Sequence, residues 1–287
     1  MNYRHAYHAG NFADVLKHTV LTLLIEYLKR KEKPFRVIDT HAGIGLYDLS
    51  SDEAQRTGEW LGGIGALRDA KLNEQEASIV SHLFGAVESV NTEDELKFYP
   101  GSPVVTRHLL RKQDRLTAIE LHPEDVETLR GQFEGDFQTR VIELDGWLAL
   151  GAHLPPKEKR GIVLVDPPFE KEGEFDRLLS GLHKAHKRWP GGIYALWYPI
   201  KNLKEVAAFR KGLMESGIPD ILDVTLEVSP VLPDTKLSAT GMIVVNPPYV
   251  LQEQLKLILP AFARILGEAG KGRYSILKLA EERRTAS

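Results

Sequence analysis

The residues best suited to chemistry are Asp166-Pro167-Pro168-Phe169, which follow directly on the apolar run Ile162-Val163-Leu164-Val165. Four apolar residues in a row read as a buried parallel strand, which puts the Asp166 carboxylate at the strand's carboxyl end. The two prolines supply no N–H and fix φ, so the chain leaves the sheet in a stiff, extended loop. Asp166 and the Pro167 carbonyl offer two acceptors, and Phe169 offers a flat apolar face. Together they suit a planar ring that carries an exocyclic amine.

Three further acids end strand-like runs: Asp39 after Phe35-Arg36-Val37-Ile38, Glu120 after Leu116-Thr117-Ala118-Ile119, and Asp145 after Arg140–Leu144. Each alone is explained as a helix N-cap. Four in succession mark the ligand crevice at the carboxyl ends of a parallel sheet. Gly43-Ile44-Gly45 after the first of them lets the backbone approach a ligand closely, but the third glycine of the dinucleotide fingerprint is missing. A strand ending in Asp and then Gly-x-Gly fits the methyl-donor variant of that loop, with Glu120 placed for ribose hydroxyls and Asp145 for an adenine amine.

The elements that must position these groups are legible from periodicity. Phe12, Val15, Leu16, Val20, Leu23, Leu24 and Leu28 space an amphipathic helix over 12–30, with Asn11 as N-cap and Lys17 and His18 on it. Glu120 lies 75 residues past Gly45, against about 20 in an uninterrupted fold. Residues 50–97 are therefore expected to form an inserted helical subdomain set over the site, and 1–49 with 98–287 the main domain. Gly62-Gly63-Ile64-Gly65 inside the insertion has no strand before it and reads as a turn or helix end. Tyr99-Pro100-Gly101-Ser102-Pro103 brings the chain back, with Ser102 either capping a helix over 104–111 or facing the glycine loop. Strand–helix alternation to residue 217, followed by strands near 221–228 and 240–246, predicts an α/β fold of Rossmann-like, mostly parallel type closed by an antiparallel hairpin.

Asn246-Pro247-Pro248-Tyr249 matches the amine-binding motif equally well as text. Its strand follows 221–228 through a short link and should run antiparallel, which delivers Asn246 to the far edge of the sheet as a structural turn. The link 229–239 falls on the active face.

Composition sets outer limits. The chain has 287 residues, 43% hydrophobic and 27% charged, enough for a sizeable core and ordinary for a globular protein. No apolar run approaches the length of a membrane span, and the first eight residues lack a signal-peptide core. With no cysteine, disulfides, thiolate catalysis and zinc–cysteine sites are excluded and a cytoplasmic setting is expected. The net charge is −3, yet residues 1–36 hold seven Lys or Arg against three acids, a local +4 that leaves −7 for the rest. That basic end, with Lys157, Lys159, Arg160, Lys184, Lys187 and Arg188, is a candidate for phosphate contacts.

Tyr3-Arg4-His5-Ala6, His8-Ala9-Gly10-Asn11, Ala13–His18, Asp39–Gly43, Pro100–Pro103 and Asp166–Phe169 together resemble the bacterial 23S ribosomal RNA adenine-N6 methyltransferase family (RlmJ type) across essentially the whole chain. The resemblance implies S-adenosyl-L-methionine as donor and the N6 amine of adenine 2030 of 23S rRNA as acceptor. It implies a donor site of His18, His41, Ser102, Glu120, Asp145, Gly146 and Asp166, with Asp166 also catalytic. Tyr3 would contact RNA, while Pro167 and Phe169 would hold a flipped base. It further implies protein-poor rRNA as partner. No metal, no membrane and a monomer are expected. A protein glutamine-N5 or DNA adenine-N6 methyltransferase is the alternative that the Pro-Pro chemistry leaves open.

Overall fold

Helix α1, Phe12–Lys29, runs behind the central strand β1, Arg36–Asp39. Asn11 caps α1 by accepting from the N–H groups of Ala13 and Asp14. The computed structural model describes residues 4–92, 95–232 and 236–282; Tyr3 lies outside them. Beyond β1 come β2 (Leu46–Asp48), α2 (Asp52–Thr57), α3 (Ile64–Asp69), α4 (Glu74–Glu88) and β3 (Phe98–Pro100). Then follow α5 (Ser102–Leu109), β4 (Arg115–Glu120), α6 (Pro123–Gln132), β5 (Thr139–Glu143), α7 (Gly146–Ala152), β6 (Gly161–Val165) and α8 (Glu174–Arg188). The chain ends with β7 (Ile193–Pro199), α9 (Leu203–Glu215), β8 (Ile221–Glu227), β9 (Ala239–Val245), α10 (Leu251–Leu266) and β10 (Arg273–Ala280).

Eight strands form one sheet in the order β10-β8-β9-β7-β6-β1-β4-β5. The five from β5 to β7 are parallel. β9 runs antiparallel to both β7 and β8, so β8 points with the parallel set, and β10 closes the edge antiparallel to β8. This is a Rossmann-like, mostly parallel sheet with an added edge strand. The antiparallel β9 is the expected one, and it lies between β7 and β8.

One core layer packs α1, α4, α5 and α10 on the sheet through residues such as Leu16, Leu24, Val80, Val105 and Phe262. The other packs α7, α8 and α9 through Leu150, Leu178, Leu182 and Phe209. The segment 50–97 contributes Ile64, Leu67, Ile79, Val80 and Leu83 to the first layer. It is opened and closed by β2 pairing antiparallel with β3, Leu46 opposite Pro100, and Gly101 N–H donates to the Gly45 carbonyl at 2.7 Å. Gly63 caps α3 where a Cβ would fall 2.1 Å from the Gly10 carbonyl; its role is close packing against the amino-terminal block. Two expectations shift. The return segment 98–103 carries a strand before its turn, and its helix begins at Ser102, with Gly101 as N-cap.

Candidate active site

A cavity of about 530 Å³ opens where β1, β4 and β6 end. Parallel pairing sets Asp39 level with Ala118 on one side and Leu164 on the other, so the loops leaving these strands converge. His18, His41, Ser102, Glu120, Asp145, Gly146, Asp166 and Pro167 all line the cavity. The amino-terminal turn adds Arg4 and His5, and the start of the insertion adds Ser51 and Glu53 to the rim. Phe169 is not among the lining residues. Its ring packs edge-on against Phe175 and Trp197, at 5.0 and 5.8 Å between centroids.

The glycine loop is held from below by Glu120. Its Oε2 accepts from Gly43 N–H at 2.9 Å, and Oε1 accepts from the N–H groups of Leu121 and His122. Gly43 has φ +62°, and a Cβ there would meet the Tyr47 hydroxyl at 2.2 Å; only glycine fits this turn. Asp145 caps α7 by accepting from Trp147 N–H at 2.9 Å. Gly146 beside it lies so close to Thr40 that a Cβ would sit 2.2 Å from the Thr40 carbonyl and 2.9 Å from the His41 ring. Thr40 Oγ1 meets His41 Nδ1 at 2.8 Å, and Trp147 stands edge-on to that ring. Burial pushes His41 down to about 4, against the pull of Asp166 and Asp145.

His18 is fully buried. Its Nδ1 is 2.8 Å from the Tyr99 hydroxyl, and the two rings stack. Burial pushes the imidazole down to about 3 despite the Asp14 charge, so it is neutral near pH 7. Among the described residues its Nε2 has no hydrogen-bond partner, although buried ring nitrogens ordinarily find one. Asp39 is buried too, and neither carboxylate oxygen makes a well-formed hydrogen bond. Burial pushes its carboxyl up to about 7, the Ser102 hydroxyl and the His41 backbone amide offsetting only part of the effect.

The largest departure from the sequence reading is Lys17. Its ammonium is ion-paired with Asp166 Oδ2 and, at 2.8 Å, with Asp14 Oδ1. Asp14 Oδ2 also takes His5 Nε2 and Gly10 N–H, both at 2.9 Å. Burial disfavours the charged form of Lys17, but the carboxylates of Asp14 and Asp166 outweigh it and hold the ammonium well above the usual lysine range. Burial opposes ionisation of Asp14 likewise, and His5 and Lys17 hold its carboxyl well below the usual range. Among the described residues Asp166 Oδ1 has no hydrogen-bonding partner. The signal that would have found this chain is Asp14 and Lys17 three residues apart on the apolar face of α1, where an unpaired charge is too costly to keep.

Such a site can hold a nucleoside across Glu120, Asp145 and Gly146 and present a fixed carboxylate oxygen to a second planar group. Asn246 takes no part. It turns the chain at φ +53°, with its side-chain amide donating to the carbonyls of Pro190 and Gly192 at the opposite edge of the sheet. Among the described residues no helix is long and apolar enough to cross a membrane, and no group of three or more His, Asp or Glu is placed to hold a metal ion.

Residues 32–278 match the model of the family described as ribosomal RNA large subunit methyltransferase D, RlmJ. The chain is 43% identical to ribosomal RNA large subunit methyltransferase J of Escherichia coli (strain K12) over 284 residues, 98% of this chain and 100% of that protein. It is 42% identical to the protein of the same name from Haemophilus influenzae, over 96% of this chain and 98% of that protein. The crystal structure of protein LPL1258 from Legionella pneumophila superposes with a TM-score of 0.86 at 32% identity, covering 94% of this chain and 98% of the other.

Proposed function

Since the chain belongs to the ribosomal RNA large subunit methyltransferase J family, we propose that it methylates the N6 amine of an adenine in 23S rRNA, adenine 2030, using S-adenosyl-L-methionine. The observation that carries this reading is Asp166, held by Lys17 through one oxygen at the mouth of the Pro167-Pro168 loop, with its other oxygen bonded to none of the described residues.

The residues present fit the donor. Glu120 stands at the end of β4 for ribose hydroxyls, and the Gly146 backbone leaves room for a flat base beside Asp145. The unpartnered His18 Nε2, which with His122 Nδ1 and Glu174 Oε2 is a buried polar atom on cavity-lining residues that lacks a hydrogen-bond partner among the described residues, is the kind of atom that a bound ligand completes. When bound, S-adenosyl-L-methionine supplies an electrophilic methyl group.

The protein's own contribution is positioning. An adenine amine is a poor nucleophile because its lone pair is delocalised into the ring. Asp166 Oδ1 accepts one N–H and the Pro167 carbonyl the other, which turns the nitrogen toward a tetrahedral arrangement with its lone pair aimed along the transfer line. Most of the rate enhancement then comes from orientation and preplaced charge. Lys17 prevents Asp166 from rotating away, and a proton released after transfer is taken at Oδ1. Pro167 and Pro168, which line the cavity, supply the apolar edge for a base that has left its helix, and Phe169, packed on Phe175 and Trp197, buttresses their loop. Tyr3 is assigned to the RNA. The protein-glutamine alternative drew on Asn246, which turns the chain at the far edge of the sheet. The test is nucleoside mass spectrometry of a 23S rRNA transcript after incubation with purified protein and labelled donor. N6-methyladenosine at one position is expected; label in protein or DNA instead, or in no nucleoside, would overturn the reading.

A further inference from the structure

We propose that the edge of the sheet opposite the cavity is a second RNA-contact surface, which holds a part of the substrate remote from the methylated base. The inference rests on the RNA reading above, and its evidence is separate from the active site. The loops that enter β1, β4, β5 and β6 meet at this edge, one strand length from the cavity, roughly 15–20 Å. They carry Arg30, Lys31, Lys33, Lys112, Lys157 and Lys159. Among the described residues none of these six forms an ion pair. The acids around them are already engaged: Asp114 by Arg111, Glu158 by Arg36 and Glu26 by Lys29. Glu32 is the carboxylate left over in the 30–33 loop, so the edge stays strongly positive.

The basic loop is held in shape. Arg111 donates to the carbonyls of Lys29 and Lys31, at 3.2 and 3.0 Å, and Arg160 to that of Lys33 at 2.7 Å. Both guanidinium groups lie over the Phe35 ring, at 5.7 and 5.9 Å. Fixing a loop this way lowers the ordering cost of binding.

Two aromatic rings stand out on the same edge. Because β9 is antiparallel, the Asn246-Pro247-Pro248 turn delivers Tyr249 here, 79% exposed, its hydroxyl 3.3 Å from Arg30 Nη1 and its ring edge-on to Tyr27. Phe137, just before β5, is 73% exposed with the Arg115 guanidinium 5.6 Å from its centre. Unpaired cations take phosphates, and exposed rings backed by arginine stack on unpaired bases. A site with both is built for RNA with a single-stranded bulge or loop. A protein partner of ordinary composition does not call for six unneutralised cations.

The experiment compares the full chain with Lys31→Gln/Lys33→Gln and with Phe137→Ser/Tyr249→Ser on two RNAs, a full 23S rRNA transcript and a short hairpin around the methylated nucleotide. Expected is a rise of about tenfold in KM for the transcript with little change on the hairpin. The salt slope of transcript binding should fall by about 1.4–1.8 in the lysine variant, two phosphate contacts being lost. Equal kinetics on both RNAs, or equal losses on both, would overturn the proposal. So would normal binding of naked transcript with loss only on protein-bearing ribosomal particles, which would assign the surface to a protein. If the wild-type chain methylates neither RNA, the functional reading fails instead. The surface is then judged by filter binding of the transcript, where variants that bind like wild type would refute it.

Discussion

Lys17 and Asp166 lie 149 residues apart in the chain and meet in an ion pair between side chains only 4% and 14% exposed. The pair belongs to a chain running from His5 through Asp14 to Lys17 and on to the cavity. Charges taken this far from water persist only when each is compensated, so the amino-terminal segment and the strand-end carboxylate are energetically one unit.

Replacing Asp166 by Asn removes an acceptor and keeps the shape. Methyl transfer to RNA should fall by about a thousandfold or more, with donor affinity by calorimetry changed less than about tenfold. Substantial transfer by the purified variant would sink the assignment.

Lys17→Met leaves Asp14 and Asp166 buried without their shared cation. A loss of about 3–5 kcal/mol in stability is expected for breaking a buried network from one side, together with a large loss of transfer. Urea unfolding at pH 7 measures the first. A variant as stable as the wild type would mean that the charges are better solvated than their burial indicates.

Asp39 gives a pH signature of definite sign. Its folded carboxyl titrates near 7 because of burial, against an ordinary 3.8, so between these values the native state holds a proton that the unfolded state has lost. Its ionisation therefore costs stability as pH rises through that window, by up to about 4 kcal/mol above pH 7. Asp39→Asn should gain more stability over wild type at pH 8 than at pH 4.5. His18 and His41 act oppositely, costing stability as pH falls below 6.5 because burial depresses both, and they cancel in the comparison of the two proteins. An equal difference at both pH values would refute the shift.

Gly146→Ala places a methyl 2.2 Å from the Thr40 carbonyl. The loops after β1 and β5 must separate, at about 1–3 kcal/mol, and donor affinity should drop by at least about tenfold while RNA binding in a filter assay is kept. Unchanged donor affinity would show that these loops do not hold it.

Much of this was legible beforehand because it rests on local rules. Four apolar runs ending in Asp39, Glu120, Asp145 and Asp166 announced the crevice, the Asn11 cap announced α1, and the short link between 221–228 and 240–246 exposed Asn246 as a turn. What stayed hidden depends on distant partners. Lys17 read only as one cation of the basic amino-terminal end because its acceptor is 149 positions away. The β2–β3 pairing escaped because each strand has three residues, too few for an alternating pattern to register. Phe169 looked like a cavity wall, whereas its neighbours Phe175 and Trp197 draw its ring aside.

The small hairpin of Leu46–Asp48 with Phe98–Pro100 has a kinetic meaning. It holds the two ends of a long excursion about 5 Å apart, so the search that brings β4 onto β1 proceeds as if the intervening helices were absent. Loop-closure entropy grows only with the logarithm of length. Lengthening the outer turns of that excursion should therefore barely slow folding, whereas unzipping its base would return the whole search to the chain.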